Sequence, residues 1–198
     1  GKLCGSIGKA NGFSFHPLKP LNVWGDGGSI TTDDDEVAEF LKHYRNHGML
    51  DRDHIQMWGI NSRIQPIQAM VATRVLDTVD RSNEIRIRNA QLLDEGFKGL
   101  AGYIEIPERS SKYKDVYQLY VIRAKKRDEL VEYLQSKEIE CRVHYPIPLH
   151  LQNASKEMGY KKGDFPECEN QAEEIVTLPA HQYIVPEQIE YIIEHIQN

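Results

Sequence analysis

The first clear hydrophobic pattern in the chain is a short helical stripe that begins just after residue 33. Its apolar members recur at helical spacing and are Val37, Phe40, Leu41 and Tyr44. The acidic run 33–35 offers N-cap candidates ahead of the stripe, and Gly48 is a typical residue just beyond a helix end. The pattern therefore predicts a helix that runs from this acidic cap to about Asn46.

A longer helical pattern begins at about Ile64, where Pro66 is tolerated because it falls in the first turn. Its apolar positions are Ile67, Met70, Val71, Val75 and Leu76. The same periodicity resumes as far as Leu93, and Gly96 follows as a stop. We predict one long helix here, or two consecutive ones.

Beyond residue 100 the hydrophobic period changes and alternates between strand and helix. Strands are predicted at residues 103–106, 116–122 and 139–145, and helices at 128–137, 166–175 and 186–196. This alternation indicates an α/β fold. A domain boundary is predicted at about residue 80, so that residues 1–80 and 81–198 belong to different domains.

Composition narrows the functional classes. The 198 residues carry 24 basic and 30 acidic side chains, a net charge of -6, which argues against a nucleic-acid partner. Apolar runs are too short for a membrane span. The three cysteines show neither a paired framework nor metal-ligand spacing, and the histidines are scattered, so no metal site is predicted and a reducing cytoplasm is expected.

The candidate chemistry lies in the first 32 residues. A strand-like Phe13-Ser14-Phe15 leads into a segment in which Lys19 stands between two prolines, and residues 25–28 form a glycine-rich turn. Pyridoxal phosphate needs a lysine for covalent attachment and donors for its phosphate, and Lys19 and the Ser14 hydroxyl match these needs. By spacing alone, the alternative interpretation is a surface lysine in a proline loop and a serine in a turn.

A series of motifs, in this order, resembles the DegT/DnrJ/EryC1/StrS family of sugar aminotransferases. The motifs are Ser14-Phe15-His16-Pro17-Leu18-Lys19, residues 25–32, Arg45-Asn46-His47-Gly48, Asn61-Ser62-Arg63, Arg142-Val143-His144-Tyr145-Pro146 and Asp164-Phe165-Pro166. The resemblance implies the C-terminal part of a fold-type-I enzyme dependent on pyridoxal 5′-phosphate: the end of the large cofactor domain (1–80) and a small α/β domain (81–198). The family's acidic partner of the pyridine nitrogen is expected upstream of Gly1.

The resemblance also assigns roles to individual residues. Lys19 matches the lysine that carries the cofactor and moves protons during transamination, and Ser14 matches a hydroxyl on the cofactor phosphate. Asn61 matches an asparagine that reaches the cofactor phosphate of the neighbouring subunit, which implies a homodimer with shared active sites. Related sugar dehydratases have histidine in place of the lysine, so Lys19 favours transamination over dehydration.

Four further residues are candidates for substrate binding, each with a structural alternative. His16 either contacts substrate or stabilises the proline loop, and Arg63 either binds an anionic group or caps the following helix. His144 and Tyr145 either bind substrate at a strand end or pack in the core.

The resemblance implies glutamate as amino donor and a keto sugar as acceptor. The stretch 19–28 is most similar to members that act on 8-oxo octulosonate, with nucleotide-linked 4-keto hexoses as the alternative, and both imply a role in lipopolysaccharide or other surface-polysaccharide synthesis. Two other functions stay open: a truncated domain with a binding or regulatory role, and the sugar dehydratase branch.

Overall fold

The computed structural model describes residues 1–198, which divide into two compact units, Gly1–Arg81 and Ser82–Asn198. In chain order the elements are β1 (Asn11–Ser14), β2 (Gly28–Thr31), α1 (Asp35–Tyr44), α2 (Pro66–Gly96), β3 (Ile104–Glu105), β4 (Tyr120–Ala124), α3 (Arg127–Ser136), two 3₁₀ helices (Leu149–Leu151 and Asn153–Met158), α4 (Pro166–Glu174), β5 (Ile175–Leu178) and α5 (Pro186–Gln197). The assignment of 1–80 to a larger cofactor domain and of 81–198 to a small domain stays a prediction.

The first unit is built on a β-hairpin followed by two helices. Strands β1 and β2 pair antiparallel, from Asn11 opposite Thr31 to Ser14 opposite Gly28. The Asp34 side chain accepts a hydrogen bond from the Val37 N–H and caps α1, which confirms the predicted helix start. The long helix α2 is continuous, so the predicted 64–93 periodicity belongs to one element.

The first unit buries very little apolar surface of its own. Val23 is its one buried hydrophobic side chain, at 1% exposure, whereas Trp24 and Trp58 are 80% and 92% exposed. The unit is therefore held together by backbone hydrogen bonds and partial contacts rather than by a closed core.

The second unit has a conventional core around a three-stranded antiparallel sheet of order β3-β4-β5. Alternate residues of β4 point inward, and both Tyr120 and Ile122 are at or below 1% exposure. Leu93 of α2 and Ile189 of α5 join the same cluster. Burial of these side chains supplies the main stabilisation of this unit.

Two of the predicted strands are wrong in part or in whole. The strand predicted at 116–122 begins only at Tyr120, because Tyr117 has a left-handed backbone (φ 48°) that interrupts extended structure. The strand predicted at 139–145 is absent. Its alternating burial is real, since Ile139 and Cys141 are buried, but only Arg142 makes a bridge, to Thr177.

The partner of that bridge belongs to β5, a strand that the sequence pattern did not predict. The helix predicted at 166–175 ends at Glu174, and Ile175 already has extended dihedrals (φ -68°, ψ 142°). The run Ile175-Val176-Thr177 is β-branched throughout, a composition that favours strand.

No helix in the structure combines the length and the apolar character needed to cross a membrane.

Candidate functional site

Lys19 lies in the loop that connects β1 to β2, and backbone hydrogen bonds close the base of this loop. The Phe15 N–H donates to the Gly27 carbonyl (2.8 Å), and the Val23 N–H donates to the Phe15 carbonyl (3.2 Å). Because Val23 is also buried, the loop is anchored at both ends and at one point within it. The loop therefore presents Lys19 from a defined backbone.

A tight turn fixes the backbone of the lysine itself. The Lys19 N–H donates to the His16 carbonyl (2.8 Å), which places Pro17 at the second position of a turn, where proline is preferred. On the other side, the Lys19 carbonyl accepts a hydrogen bond from the Asn22 amide (3.3 Å).

The Lys19 side chain is half-buried, and its Nζ makes neither an ion pair nor a hydrogen bond within the chain. Lys19 is therefore an unpartnered amine on an anchored loop, and an amine without a partner within the chain is open to covalent attachment of a carbonyl group.

His16 stabilises the turn through its ring. The Leu18 N–H donates to His16 Nδ1 (3.2 Å), so the neutral ring carries its proton on Nε2. The Nε2 atom makes no hydrogen bond within the chain and His16 is exposed. The geometry gives His16 the structural role; a substrate contact through Nε2 stays a prediction.

Ser14 ends β1 next to this turn. Its hydroxyl oxygen accepts a weak hydrogen bond from the His16 N–H (3.3 Å), and its O–H proton has no acceptor within the chain. The hydroxyl is exposed and free to donate to an anion, such as a phosphate oxygen.

Asn61 and Arg63 lie together in a second part of the first unit. Arg63 Nε donates to Asn61 Oδ1 (3.0 Å) and Arg63 Nη1 donates to Asn46 Oδ1 (2.7 Å). Of the two alternatives for Arg63, the structure shows no contact that caps the following helix, because the guanidinium donates to these two asparagines; a contact with an anionic group stays a prediction.

His144 and Tyr145 belong to the second unit. His144 Nδ1 lies 3.0 Å from the Thr177 hydroxyl, and the two rings contact edge to face with centroids 5.7 Å apart. Tyr145 is 75% exposed, so the core-packing alternative is wrong for this residue. The structure leaves its phenol available to a ligand.

The residues present fit the part of a pyridoxal phosphate site that this chain would supply. An unpartnered amine (Lys19), a hydroxyl with a free proton (Ser14) and an amide whose NH₂ group is unbound (Asn61) form a set of one nucleophile and two anion donors. Nothing in the arrangement suits a metal, since no three His, Cys, Asp or Glu side chains gather where an ion could bind.

The family model of the DegT/DnrJ/EryC1/StrS aminotransferases matches residues 1–197. The chain belongs to this family. The resemblance drawn from the Lys19, Asn61 and His144 motifs is therefore confirmed at the level of the family. The match does not separate an octulosonate branch from the rest.

Curated relatives and solved structures agree with this assignment. A pleiotropic regulatory protein of Geobacillus stearothermophilus is 38% identical over 200 residues, which cover 99% of the chain and 53% of that protein. The dTDP-3-amino-3,6-dideoxy-alpha-D-galactopyranose transaminase of Aneurinibacillus thermoaerophilus is 36% identical over 198 residues, 100% of the chain and 53% of that protein. The chain spans about half the length of the curated relatives it matches.

Among solved structures, DesV of S. venezuelae aligns with a TM-score of 0.91 at 32% identity, over 96% of this chain and 51% of DesV. A DegT/DnrJ/EryC1/StrS aminotransferase of Brucella abortus also gives 0.91, at 33% identity over 98% of this chain and 52% of its own. The predicted fold, the C-terminal part of a fold-type-I aminotransferase, is confirmed.

Two features of the site region escape sequence reasoning. Asn46 joins Asn61 through Arg63, although 15 residues separate the two asparagines and no spacing rule links them. His150, one of the scattered histidines, contacts Glu169 (2.9 Å), and both side chains are over nine-tenths buried. For Asn46, its place in the Arg45-Asn46-His47-Gly48 motif is the one signal that the sequence offered.

Proposed function

We propose that this chain carries the cofactor lysine of a pyridoxal-phosphate-dependent aminotransferase that acts on a keto sugar. The observation that carries the proposal is the Lys19 amine, which has no partner within the chain and belongs to a half-buried residue on a loop anchored by the Phe15 and Val23 backbone. Family membership supports the reaction class.

When bound, pyridoxal phosphate supplies an electron sink that makes a proton next to the reacting nitrogen removable. The chain's own residues hold the group and move that proton. Lys19 Nζ is the attachment point and, once displaced, the general base and acid. The Ser14 O–H and the Asn61 NH₂ donate to the phosphate, with Asn61 acting on the site of a second subunit in a homodimer.

We assign substrate contacts to the residues that match the family motifs and have polar atoms without a partner in the chain. His144 and Tyr145 present polar atoms from the second unit, and Tyr145 has most of its surface free. Arg63 adds a cation to the first unit, where a carboxylate or a phosphate of the substrate is the natural partner. His16 Nε2 is a further donor beside Lys19.

For the acceptor we propose a nucleotide-linked keto sugar, with glutamate as the amino donor. The transaminases of Aneurinibacillus thermoaerophilus and Streptomyces venezuelae are named for dTDP-linked 3-amino sugars, which favours a 3-keto sugar over the 4-keto hexose suggested by the motifs. An 8-oxo octulosonate remains the alternative. Either product would enter surface-polysaccharide or lipopolysaccharide synthesis, and the three unpaired cysteines suit a reducing cytoplasm.

The test is attachment of the cofactor at Lys19. The full-length protein with pyridoxal phosphate is expected to develop a visible absorbance band, and borohydride reduction followed by peptide mass spectrometry is expected to place the adduct on Lys19. Lys19→Ala should abolish both signals. Lys42→Ala, at an exposed lysine paired with Glu39, is the matched control and should keep them.

A wild-type protein without the band, or an adduct spread over surface lysines, would refute the assignment.

With a nucleotide-linked keto sugar and glutamate as substrates, mass spectrometry of the product separates transamination from dehydration. Transamination replaces the keto oxygen by an amino group, whereas dehydration removes an oxygen without adding nitrogen.

A regulatory role is the second candidate, favoured by the name of the 38% identical Geobacillus protein. The two functions differ in their need for the amine. If deletion of the gene produces a regulatory phenotype that Lys19→Ala complements fully, the regulatory role stands independently of transamination.

A further inference from the structure

Arg63 joins two asparagines that are distant in sequence. Its Nε donates to Asn61 Oδ1 at 3.0 Å and its Nη1 donates to Asn46 Oδ1 at 2.7 Å. One guanidinium therefore holds two side-chain amides through two different nitrogens, as its several donors permit.

These bonds decide which way each amide faces. A guanidinium has only donors, so the atom that meets it must be the amide oxygen. The NH₂ groups of Asn46 and Asn61 are consequently turned away from Arg63. Neither makes a hydrogen bond within the chain, so two donor groups are left unused next to a cation.

The backbone around the two asparagines is rigidly paired. Asn46 and Asn61 form a β-bridge, and the Ile60 N–H donates to the Tyr44 carbonyl at 2.7 Å. The Ser62 N–H donates to the Arg45 carbonyl at 2.9 Å. The two amides are therefore preorganised by their main chain as well as by Arg63.

The charge of the cluster is uncompensated. Arg63 is exposed and pairs with no carboxylate, and both of its partners are neutral amides. A cation flanked by free NH₂ donors is an arrangement that recognises a multivalent oxyanion, such as a phosphate monoester.

We propose that Asn46 is a second amide donor to the phosphate that Asn61 binds, and that Arg63 is the positioning residue that aims both amides at it. This inference rests on the proposed function, because the phosphate is that of pyridoxal phosphate. It adds a residue, Asn46, and gives Arg63 a role in cofactor retention beside the substrate contact proposed for it above.

The test compares binding of the cofactor with binding of the same compound without its phosphate. Dissociation constants of the full-length protein are measured by the visible absorbance change for pyridoxal phosphate and for pyridoxal, which lacks the phosphate. Asn46→Asp keeps the acceptor that Arg63 needs but replaces the NH₂ donor by an oxygen. The substitution is expected to raise the dissociation constant of pyridoxal phosphate by about tenfold or more, because a hydrogen bond to a charged group is lost. The dissociation constant of pyridoxal should stay unchanged.

Three comparisons make the result decisive. Asn170→Asp adds the same charge at an exposed position of α4 and should leave the preference for the phosphorylated form unchanged. Asn46→Ala removes the donor without adding a charge and should lower that preference in the same direction. Arg63→Lys keeps the charge but cannot hold both amide oxygens, so it should lower the preference as well.

An unchanged preference in Asn46→Asp and Asn46→Ala overturns the role of Asn46, and an unchanged preference in Arg63→Lys overturns the positioning role of Arg63. Equal loss of pyridoxal and pyridoxal phosphate also counts against both, since it shows no selective action on the phosphate. If the wild-type protein binds neither compound, the proposed function itself fails, which is a distinct outcome.

Discussion

Gly48 is the residue whose substitution should most directly disturb the backbone beside Asn46. Its φ of +72° lies in the left-handed region, and a Cβ added there would sit 1.7 Å from the Met57 carbonyl oxygen. A real Cβ needs at least 3.0 Å from such an atom, so the chain would have to move apart by more than an ångström. Gly48→Ala therefore carries both a dihedral cost and a steric one.

The magnitude follows from the contacts at risk. The left-handed conformation costs a non-glycine residue about 1–2 kcal/mol. Separating the chains also strains the hydrogen bonds that the Gly48 carbonyl accepts from the N–H groups of Gln56 (2.9 Å) and Met57 (3.4 Å), each worth roughly 1 kcal/mol. The sum, about 3 kcal/mol or more, corresponds to a local opening constant at least roughly a hundredfold larger.

Hydrogen exchange of the full-length protein, followed by mass spectrometry, measures this local opening directly. Peptides that cover residues 44–62 should exchange roughly a hundredfold faster in Gly48→Ala. Gly99→Ala is the matched control: its φ is +94°, but an added Cβ meets nothing within 4 Å. It should speed exchange only around residue 99, by roughly tenfold. Equal effects of the two substitutions at their own sites would show that the predicted clash is absent.

The remaining predictions concern the second unit. Hydrogen bonds from His150 and from the Gly163 N–H lower the pKa of Glu169. The stability that these bonds provide is therefore fully present above the ordinary pKa of a carboxyl group, and it is lost as the pH falls through the lowered pKa of Glu169. In Glu169→Gln, the melting temperature should fall less between about pH 7 and pH 3 than it does in the wild type. An equal fall in both proteins would contradict this account. Arg86→Ala should cost about 2 kcal/mol or more in urea denaturation, because buried Arg86 donates to the Tyr117 and Gln118 carbonyls, which would lose their partner. A cost below about 0.5 kcal/mol would show that water replaces the guanidinium.

The helices were the predictable part of the fold, and the reasons are local. Helix α1 begins where the acidic run supplies the Asp34 cap, and α2 follows its apolar periodicity without a break. Capping and 3.6-residue periodicity depend on neighbours in sequence, so a sequence contains them.

The strands were less predictable because sheet pairing depends on distant partners. Ile139 and Cys141 alternate with exposed residues as a strand would, yet only Arg142 finds a partner, in Thr177. Conversely, β5 directly follows α4 with no turn signal between them, so the predicted helix ran on to Ile175 and the strand was missed in spite of its β-branched composition.

The candidate site divides in the same way. Lys19 and Ser14 lie within six residues of each other, and their motif predicts the attachment of pyridoxal phosphate from the sequence alone. The contact of Asn46 with Arg63 depends on a bridge between two segments, and the tautomer of His16 depends on a turn hydrogen bond. Neither is encoded in spacing, so both required the structure.

The scarcity of buried apolar side chains in the first unit has a consequence for where the stability of the chain comes from. With Val23 alone in its interior and both tryptophans uncovered, residues 1–81 gain little hydrophobic free energy by folding on their own. The second unit has a closed core of its own, so the hydrophobic stabilisation of the described chain is concentrated in residues 82–198.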